Sequence, residues 1–138
     1  MKKIFFGLIL IGSIQSYAGC DNWALSEAET KVCYGVKYAI DNNCTSFASD
    51  SLEAMVCHGV KYANDSNCTS SALSEEEAEI CYGVEAGNAE NCLTNTLNDR
   101  KAEVCYGVLY SRLNKCNSHA LKEREVMFCN GFKYANSP

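Results

Sequence analysis

The tetrapeptide Cys33-Tyr34-Gly35-Val36 returns in recognisable form every 24 residues along the chain. Self-similarity at a fixed period of this size is the sequence signature of repeat architectures. The sequence therefore predicts an array of five equivalent units rather than one irregular domain. The four further copies read Cys57-His58-Gly59-Val60, Cys81-Tyr82-Gly83-Val84, Cys105-Tyr106-Gly107-Val108 and Cys129-Asn130-Gly131-Phe132.

The cysteines give the same period. Gaps of 13 and 11 residues alternate along the chain without exception, so that every repeat opens with one cysteine and carries a second inside the tetrapeptide. We place the repeat starts at residues 20, 44, 68, 92 and 116, within a single cysteine-rich domain over residues 19–138. The predicted disulfide-forming residues are Cys20, Cys33, Cys44, Cys57, Cys68, Cys81, Cys92, Cys105, Cys116 and Cys129.

One helix is predicted in each repeat, over residues 26–40 in the first. Ser26 and Glu29 have the spacing of a capping box, in which each side chain accepts a hydrogen bond from the other residue's backbone amide. Helices commonly end at a residue in the left-handed conformation, which asparagine tolerates. We therefore predict that the asparagine before a linker cysteine closes the preceding helix. The capping pair recurs as Asp50 with Glu53 and as Ser74 with Glu77, whereas Asn98 and Lys122 are weaker helix starts. The predicted closing residues are Asn43, Asn67 and Asn91.

Two opposite faces of this helix are apolar. At 100° per residue, Val32 and Val36 lie on one side and Tyr34 and Tyr38 nearly opposite, a pattern typical of a helix packed between two neighbours. Gly35 borders the valine face and would let a neighbouring backbone come close; the alternative is that it breaks the helix. We therefore predict an all-α fold, a solenoid-like array of five 24-residue, disulfide-stapled helical repeats.

The linkers between helices are nine residues long, enough for the chain to return alongside a helix of this length. Antiparallel neighbours would need only a short connection. The length therefore favours parallel helices joined by a returning, strand-like segment, with an up-and-down arrangement left open.

Parity of the cysteines favours pairing within each repeat. Pairs such as Cys44–Cys57 use all ten cysteines, whereas pairs across the boundary, such as Cys33–Cys44, leave Cys20 and Cys129 at opposite ends. Zinc ribbons and redox motifs place their cysteines a few residues apart, and no two here are closer than 11. No metal site and no cofactor is predicted.

The first 18 residues have the features of a secretory signal peptide. Lys2 and Lys3 precede a short apolar segment, and Ser16-Tyr17-Ala18 fits a cleavage site before Gly19. The short lysine start indicates a bacterial protein of the periplasm or the medium. A lipid anchor on Cys20 is the minor alternative, because residues 17–20 resemble a lipobox apart from Tyr17.

The seven tyrosines beyond the signal fall in two columns of the repeat. Stacked repeats would align them into a ladder that serves either for packing on the next repeat's valine face, which we favour, or as a binding surface. His58, Ala86 and Asn130 interrupt the columns. The candidate binding residues are Tyr34, Tyr38, Tyr62, Tyr82, Tyr106, Tyr110 and Tyr134.

Charge and motif content limit the function classes. Without Lys2 and Lys3 the chain has 10 basic and 17 acidic residues, which argues against a nucleic-acid partner. No catalytic motif is present, and His58 and His119 occupy different repeat positions. We expect a non-enzymatic exported scaffold, structural or binding a protein or envelope component, with no transmembrane span in the mature chain. A secreted inhibitor or toxin-like effector on the same frame is the alternative.

Overall fold

The computed structural model describes residues 19–22, 24–45, 50–93 and 97–136, which contain five α-helices and no β-strand. One helix lies in each repeat, as predicted, and the all-α fold is confirmed. The predicted signal peptide, residues 1–18, lies outside the described residues. The helices are α1 (Glu27–Ile40), α2 (Ser51–Asn64), α3 (Glu75–Asn88), α4 (Asp99–Arg112) and α5 (Glu123–Ala135).

Complete capping boxes form at two of the three helix starts predicted to have them, and the box predicted for Asp50 with Glu53 does not form. Ser26 and Ser74 form complete capping boxes with Glu29 and Glu77. Lys122 has no side-chain acceptor to offer α5, but its backbone amide donates to Glu125 Oε1 at 2.7 Å, so half of the box remains. The remaining starts have a side-chain cap without the full box: Asp50 accepts from the Leu52 amide and Asn98 from the Lys101 amide.

The first helix ends at Ile40, as predicted, but the left-handed residues that close the helices lie one position earlier than predicted. Positive φ angles are found at Asn42, Ser66, Glu90 and Asn114, not at Asn43, Asn67 and Asn91. The reason is that α1 ends at Ile40 with Asp41 as its C-cap, which makes residue 42 the first one beyond the helix. The following amide, that of Asn43, then donates back to the Tyr38 carbonyl at 2.9 Å, the long-range bond of a Schellman motif.

Successive helices are parallel, and the glycines set their contact. A Cβ at Gly83 would lie 2.5 Å from Val104 Cβ, and one at Gly87 would lie 2.7 Å from Val108 Cβ. Moving towards the carboxyl end of α3 therefore moves the contact towards the carboxyl end of α4, as only parallel helices allow. Glycine is needed because a Cβ at such distances cannot be accommodated, and the helix continues through Gly83 without a break.

The segment that returns between helices is made of turns rather than strand. Residues 65–74 and 113–122, which the structure describes in full, contain turns and bends only. The amides of Ser70 and Leu73 donate to carbonyls three residues earlier, those of Asn67 and Ser70. The prediction of a strand-like connection is wrong for these two segments, because hydrogen-bonded turns replace extended backbone in them.

The array closes on itself. Each helix packs on the next one, and α5 also packs on α1. A Cβ at Gly131 of α5 would lie 2.6 Å from Val32 Cβ of α1, the same relationship that Gly35 has with Val56. Five parallel helices therefore form a ring in which every helix has two neighbours, and the repeats of the sequence become positions around one axis.

The disulfides join the two cysteines of each repeat, which confirms the predicted pairing. Every linker cysteine is bonded to the mid-helix cysteine of the helix that follows it, and all ten are buried. The bonds therefore fasten each linker to its own helix and leave the helix–helix contacts to side-chain packing. The pairs are Cys20–Cys33, Cys44–Cys57, Cys68–Cys81, Cys92–Cys105 and Cys116–Cys129.

Candidate binding surfaces

The tyrosines lie on the outer wall of the ring, the side of each helix away from the axis. All seven are partly buried. Tyr34 donates a hydrogen bond to Asp21 in the segment before α1. Tyr106 and Tyr110 of α4 share a groove with Leu121, in the linker before α5. The tyrosines of α1 and α4 therefore border the chain segments that precede a helix, and all seven rings are partly exposed to solvent.

Ring pairs form within a helix rather than as a ladder through the array. Tyr34 and Tyr38 stack with their ring centroids 5.8 Å apart, and Tyr106 and Tyr110 meet edge-on at 6.4 Å. These are contacts one helical turn apart, which the sequence spacing predicts. The outer wall therefore carries separate tyrosine pairs instead of one continuous aromatic surface.

The residue that packs on the next helix's valine is the glycine, not the tyrosine. Gly59 would bring a Cβ within 2.8 Å of Ile80 Cβ, the equivalent position on α3. The tyrosine column meets the next helix one turn nearer its start, where Lys101 Nζ of α4 lies 4.5 Å from the centre of the Tyr82 ring. Tyrosine packing on the valine face is therefore not the contact that the structure shows, although five of the rings pack against the core from outside: Tyr34, Tyr38, Tyr62, Tyr82 and Tyr134.

Asn130 replaces tyrosine where the ring closes. Its Nδ2 donates to Glu29 Oε2 of α1 at 2.8 Å, between residues separated by 101 positions in the sequence. Glu29 occupies the repeat position that Lys101 occupies on α4, so Asn130 makes the same inter-helix contact with a polar pair. The interruption of the tyrosine column thus coincides with the junction of the last and first helices.

Both tyrosines of α1 are protonated at neutral pH. Burial, followed by the hydrogen bond to Asp21, raises the pKa of Tyr34 far above its ordinary value. Burial and then the nearby carboxylate of Glu53 raise the pKa of Tyr38. The rings therefore act as neutral phenols, able to donate a hydrogen bond and to present an apolar face.

One groove of the outer wall lies between α4 and the linker before α5. It has a volume of about 360 Å³ and is lined by the two tyrosines of α4 with Leu121 and Ala120. Polar residues border it, three of them acidic. Those residues are Asp99, Glu103, Glu125 and Lys122. We call this the α4 groove.

Closure of the ring creates a second concavity on the axis, at the carboxyl ends of the helices. We call it the axial cavity; it has a volume of about 300 Å³. All five helices contribute equivalent residues to its floor and to its rim. The floor is formed by Val36, Val60, Val84, Val108 and Phe132, and the rim by Ile40, Asn64, Asn88, Arg112 and Asn136.

A third concavity, of about 800 Å³, lies at the amino ends of α1 and α5 and is lined in part by Ser26, Glu29, Lys122 and Met127. Neither this concavity nor the axial one could be recognised in the sequence, because both depend on the contact of α5 with α1. The signal available for the axial cavity was a repeat column of valines followed, four residues later, by a mostly polar column.

No metal site is predicted from the sequence, and the structure gives the surroundings of the histidines and cysteines that could have formed one. Among the described residues, no group of three or more His, Cys, Asp or Glu side chains is arranged to hold a metal ion. His58 is partly buried in the tyrosine column, whereas His119 is exposed in a linker. The ten cysteine sulfurs are all in disulfides and offer no thiolate.

Comparisons of the chain with models of protein families, with curated proteins and with solved structures find no match. None of the described helices is both long enough and apolar enough to cross a membrane.

Proposed function

We propose that this protein is an exported, disulfide-stabilised scaffold that binds a protein partner through the outer wall of its ring. The observation that carries the proposal is the α4 groove, where Tyr106 and Tyr110 present partly exposed rings beside a linker that a disulfide holds in place. Tyrosine is enriched where proteins bind one another, since it offers a large contact area at a small cost in conformational entropy.

The disulfides support a location outside the cytoplasm. Five intramolecular disulfides in a chain of this length form and persist in oxidising compartments. The secretory features of residues 1–18 are consistent with that compartment and favour the periplasm or the medium of a bacterium. We propose this location for the mature chain from Gly19 onward.

The charges of the α4 groove favour a basic segment of the partner. Asp99, Glu103 and Glu125 border the groove with Lys122 as the one cation, and the chain as a whole is acidic. Glu125 already accepts from the Lys122 amide, and Glu103 lies 3.2 Å from Arg124 Nε, which leaves Asp99 as the most accessible carboxylate. A lysine or arginine side chain could lay its apolar stem on the tyrosine rings with its charge near Asp99.

Site-specific crosslinking tests the proposal. A photo-crosslinking amino acid at exposed Ala120, in the protein exported by its source bacterium, is expected to capture one defined partner. The same probe at Leu93, whose side chain is 86% exposed in the linker before α4, is the matched control. Capture of one set of proteins from both positions would show non-specific adhesion and contradict the proposal.

Tyrosine variants then separate binding from stability. Tyr106→Ser with Tyr110→Ser is expected to abolish the Ala120 crosslink, whereas the double Phe variant, which keeps both rings, is expected to retain most of it. Thermal unfolding under oxidising conditions is measured for both. A serine variant that melts well below the parent would show that the two tyrosines serve for packing. A Phe variant that also loses the partner would show that the hydroxyl groups make the contact. If the captured partner is an enzyme that loses activity in the complex, the function is inhibition.

A further inference from the structure

The axial cavity combines an apolar floor with a rim whose described residues include one charged side chain. The four valines and Phe132 of the floor are almost completely buried, with 3% to 5% of their surface exposed. They line the cavity with that exposed surface. Among the described residues that line the cavity, Arg112 is the one with a charged side chain. A bound molecule would therefore meet hydrocarbon below and a cation with amides at the opening.

We propose that the axial cavity binds a small amphipathic monocarboxylate, with its apolar body on the valine floor and its carboxylate on Arg112. This site is independent of the α4 groove and goes beyond the proposed function. Guanidinium groups bind carboxylates with two parallel hydrogen bonds, which fixes the orientation of the ligand as well as its charge.

The guanidinium is held at the rim by a contact that leaves donors available. Arg112 Nη1 donates to the backbone carbonyl of Asn88, the equivalent residue on α3, at 2.8 Å. Arginine has five N–H donors, so this bond occupies one and the others remain for a ligand. The contact spans two neighbouring helices, and the ring geometry therefore positions the charge.

The helix carboxyl ends around the opening would by themselves favour a cation, because their partial charges are negative. Closing turns weaken this preference. The carbonyls of Lys37, Tyr38 and Ala39 accept from the three amides that follow α1, and the same pattern recurs after α2, α3 and α4. At α5, Asn136 donates to the Phe132 carbonyl from both its backbone amide and Nδ2. These carbonyls already accept hydrogen bonds, whereas Arg112 carries a full positive charge.

Size sets the class of ligand. A volume of about 300 Å³ is at the lower limit for small-molecule pockets. A short-chain or compact aromatic carboxylate fits this space, and a phospholipid does not. Hexanoate is therefore a suitable probe, with hexylammonium and hexanol as probes of equal chain length and different charge.

Titration of the oxidised mature chain, followed by calorimetry and by the NMR methyl signals of the floor valines, tests the proposal. Hexanoate is expected to shift these signals saturably and to bind more tightly than hexanol or hexylammonium. Arg112→Gln should weaken hexanoate by roughly tenfold to a hundredfold, the range for a hydrogen bond to a charged group. Arg100→Gln, at the other end of α4, is the matched control and should leave the affinity unchanged.

Filling the cavity provides a second, independent variant. Val84→Phe introduces at α3 the residue that α5 already has at the equivalent position, Phe132, and should block hexanoate while the helix signal is retained. Hexylammonium binding as tightly as hexanoate, equal weakening by Arg112→Gln and Arg100→Gln, or the absence of any saturable shift at the valine methyls would each overturn the proposal. None of these three outcomes depends on whether the Val84→Phe variant folds.

Discussion

Gly131, in the last helix, lies directly against Val32, in the first: a Cβ on the glycine would fall 2.6 Å from the valine Cβ and 2.3 Å from its Cγ1. This contact joins the two ends of the array. It repeats the glycine–valine contact found between consecutive helices, for example between Gly35 and Val56. The junction between the ends is therefore built like the interfaces inside the array.

Gly131→Ala is expected to lower the free energy of unfolding by about 1–3 kcal/mol, the usual cost of overpacking. The loss should appear even though alanine is the better helix former by about 1 kcal/mol. Gly59→Ala, at the interface of α2 with α3, is the control for the same change inside the array. Chemical denaturation of both variants and of the parent measures these differences in the free energy of unfolding.

If the ring closes in solution, both glycine variants lose stability. Adding Val32→Ala to Gly131→Ala should then cost less than the sum of the single changes, because the smaller side chain makes room for the new methyl group. Loss of stability in Gly59→Ala alone, with Gly131→Ala equal to the parent, would show an open array.

Replacing Cys44 and Cys57 together by alanine should lower the free energy of unfolding by about 3 kcal/mol, the value for a loop of this length in the chain-entropy model. The bond fastens the linker to α2, so the loss should come with increased proteolysis of that linker. Peptide mapping of the unreduced parent provides the accompanying check. A fragment that joins Cys33 to Cys44 would contradict the pairing described here.

Local features of the fold could be predicted from sequence because their causes are local. Ser26 with Glu29 marks a helix start, the valine and tyrosine spacing marks a helix, and the unbroken alternation of cysteines restricts the disulfides. The residue that closes α1 was misplaced by one position, because Asn42 and Asn43 are adjacent and both are asparagine. In α2 and α3 the closing residues are Ser66 and Glu90, which give no sequence signal at all.

Closure of the ring could not be predicted in this way. It depends on the angle between successive helices, which the fit of Gly35 against Val56 sets and which no periodicity in the sequence reports. The axial cavity follows from closure, so Arg112 could not be recognised as its charged residue. The tyrosine columns were identified, but their position beside the linkers also depended on how the helices are rotated in the ring.

Glu90→Gly should raise the free energy of unfolding by about 0.5–1 kcal/mol. Glu90 has a φ of 57°, which costs an ordinary L-residue about 1–2 kcal/mol, and glycine removes that cost at some expense in chain entropy. Asn114→Gly is the matched control at the same repeat position, with a φ of 58°. Its gain should be smaller, since asparagine tolerates this conformation, and thermal melts that show equal gains would contradict the explanation.

The mature protein should begin at Gly19 and carry no lipid. The Cys20 sulfur is bonded to Cys33, and a lipid thioether would need that same sulfur. Intact mass of protein purified from the source cells, before and after reduction, measures both properties. A diacylglyceryl mass would show that Cys20 is an anchor instead, and a free Cys33 thiol would contradict the Cys20–Cys33 disulfide.

The closed ring fixes how many repeats this protein can have. In an open solenoid another repeat merely extends the array, since each unit contacts only its neighbours. Here a sixth unit would have to enter between two helices already in contact and change the angle at every interface. The space on the axis would then become wider than the four valines and Phe132 of the floor can fill. Duplication of a repeat, the usual way for such proteins to grow, would disrupt this one.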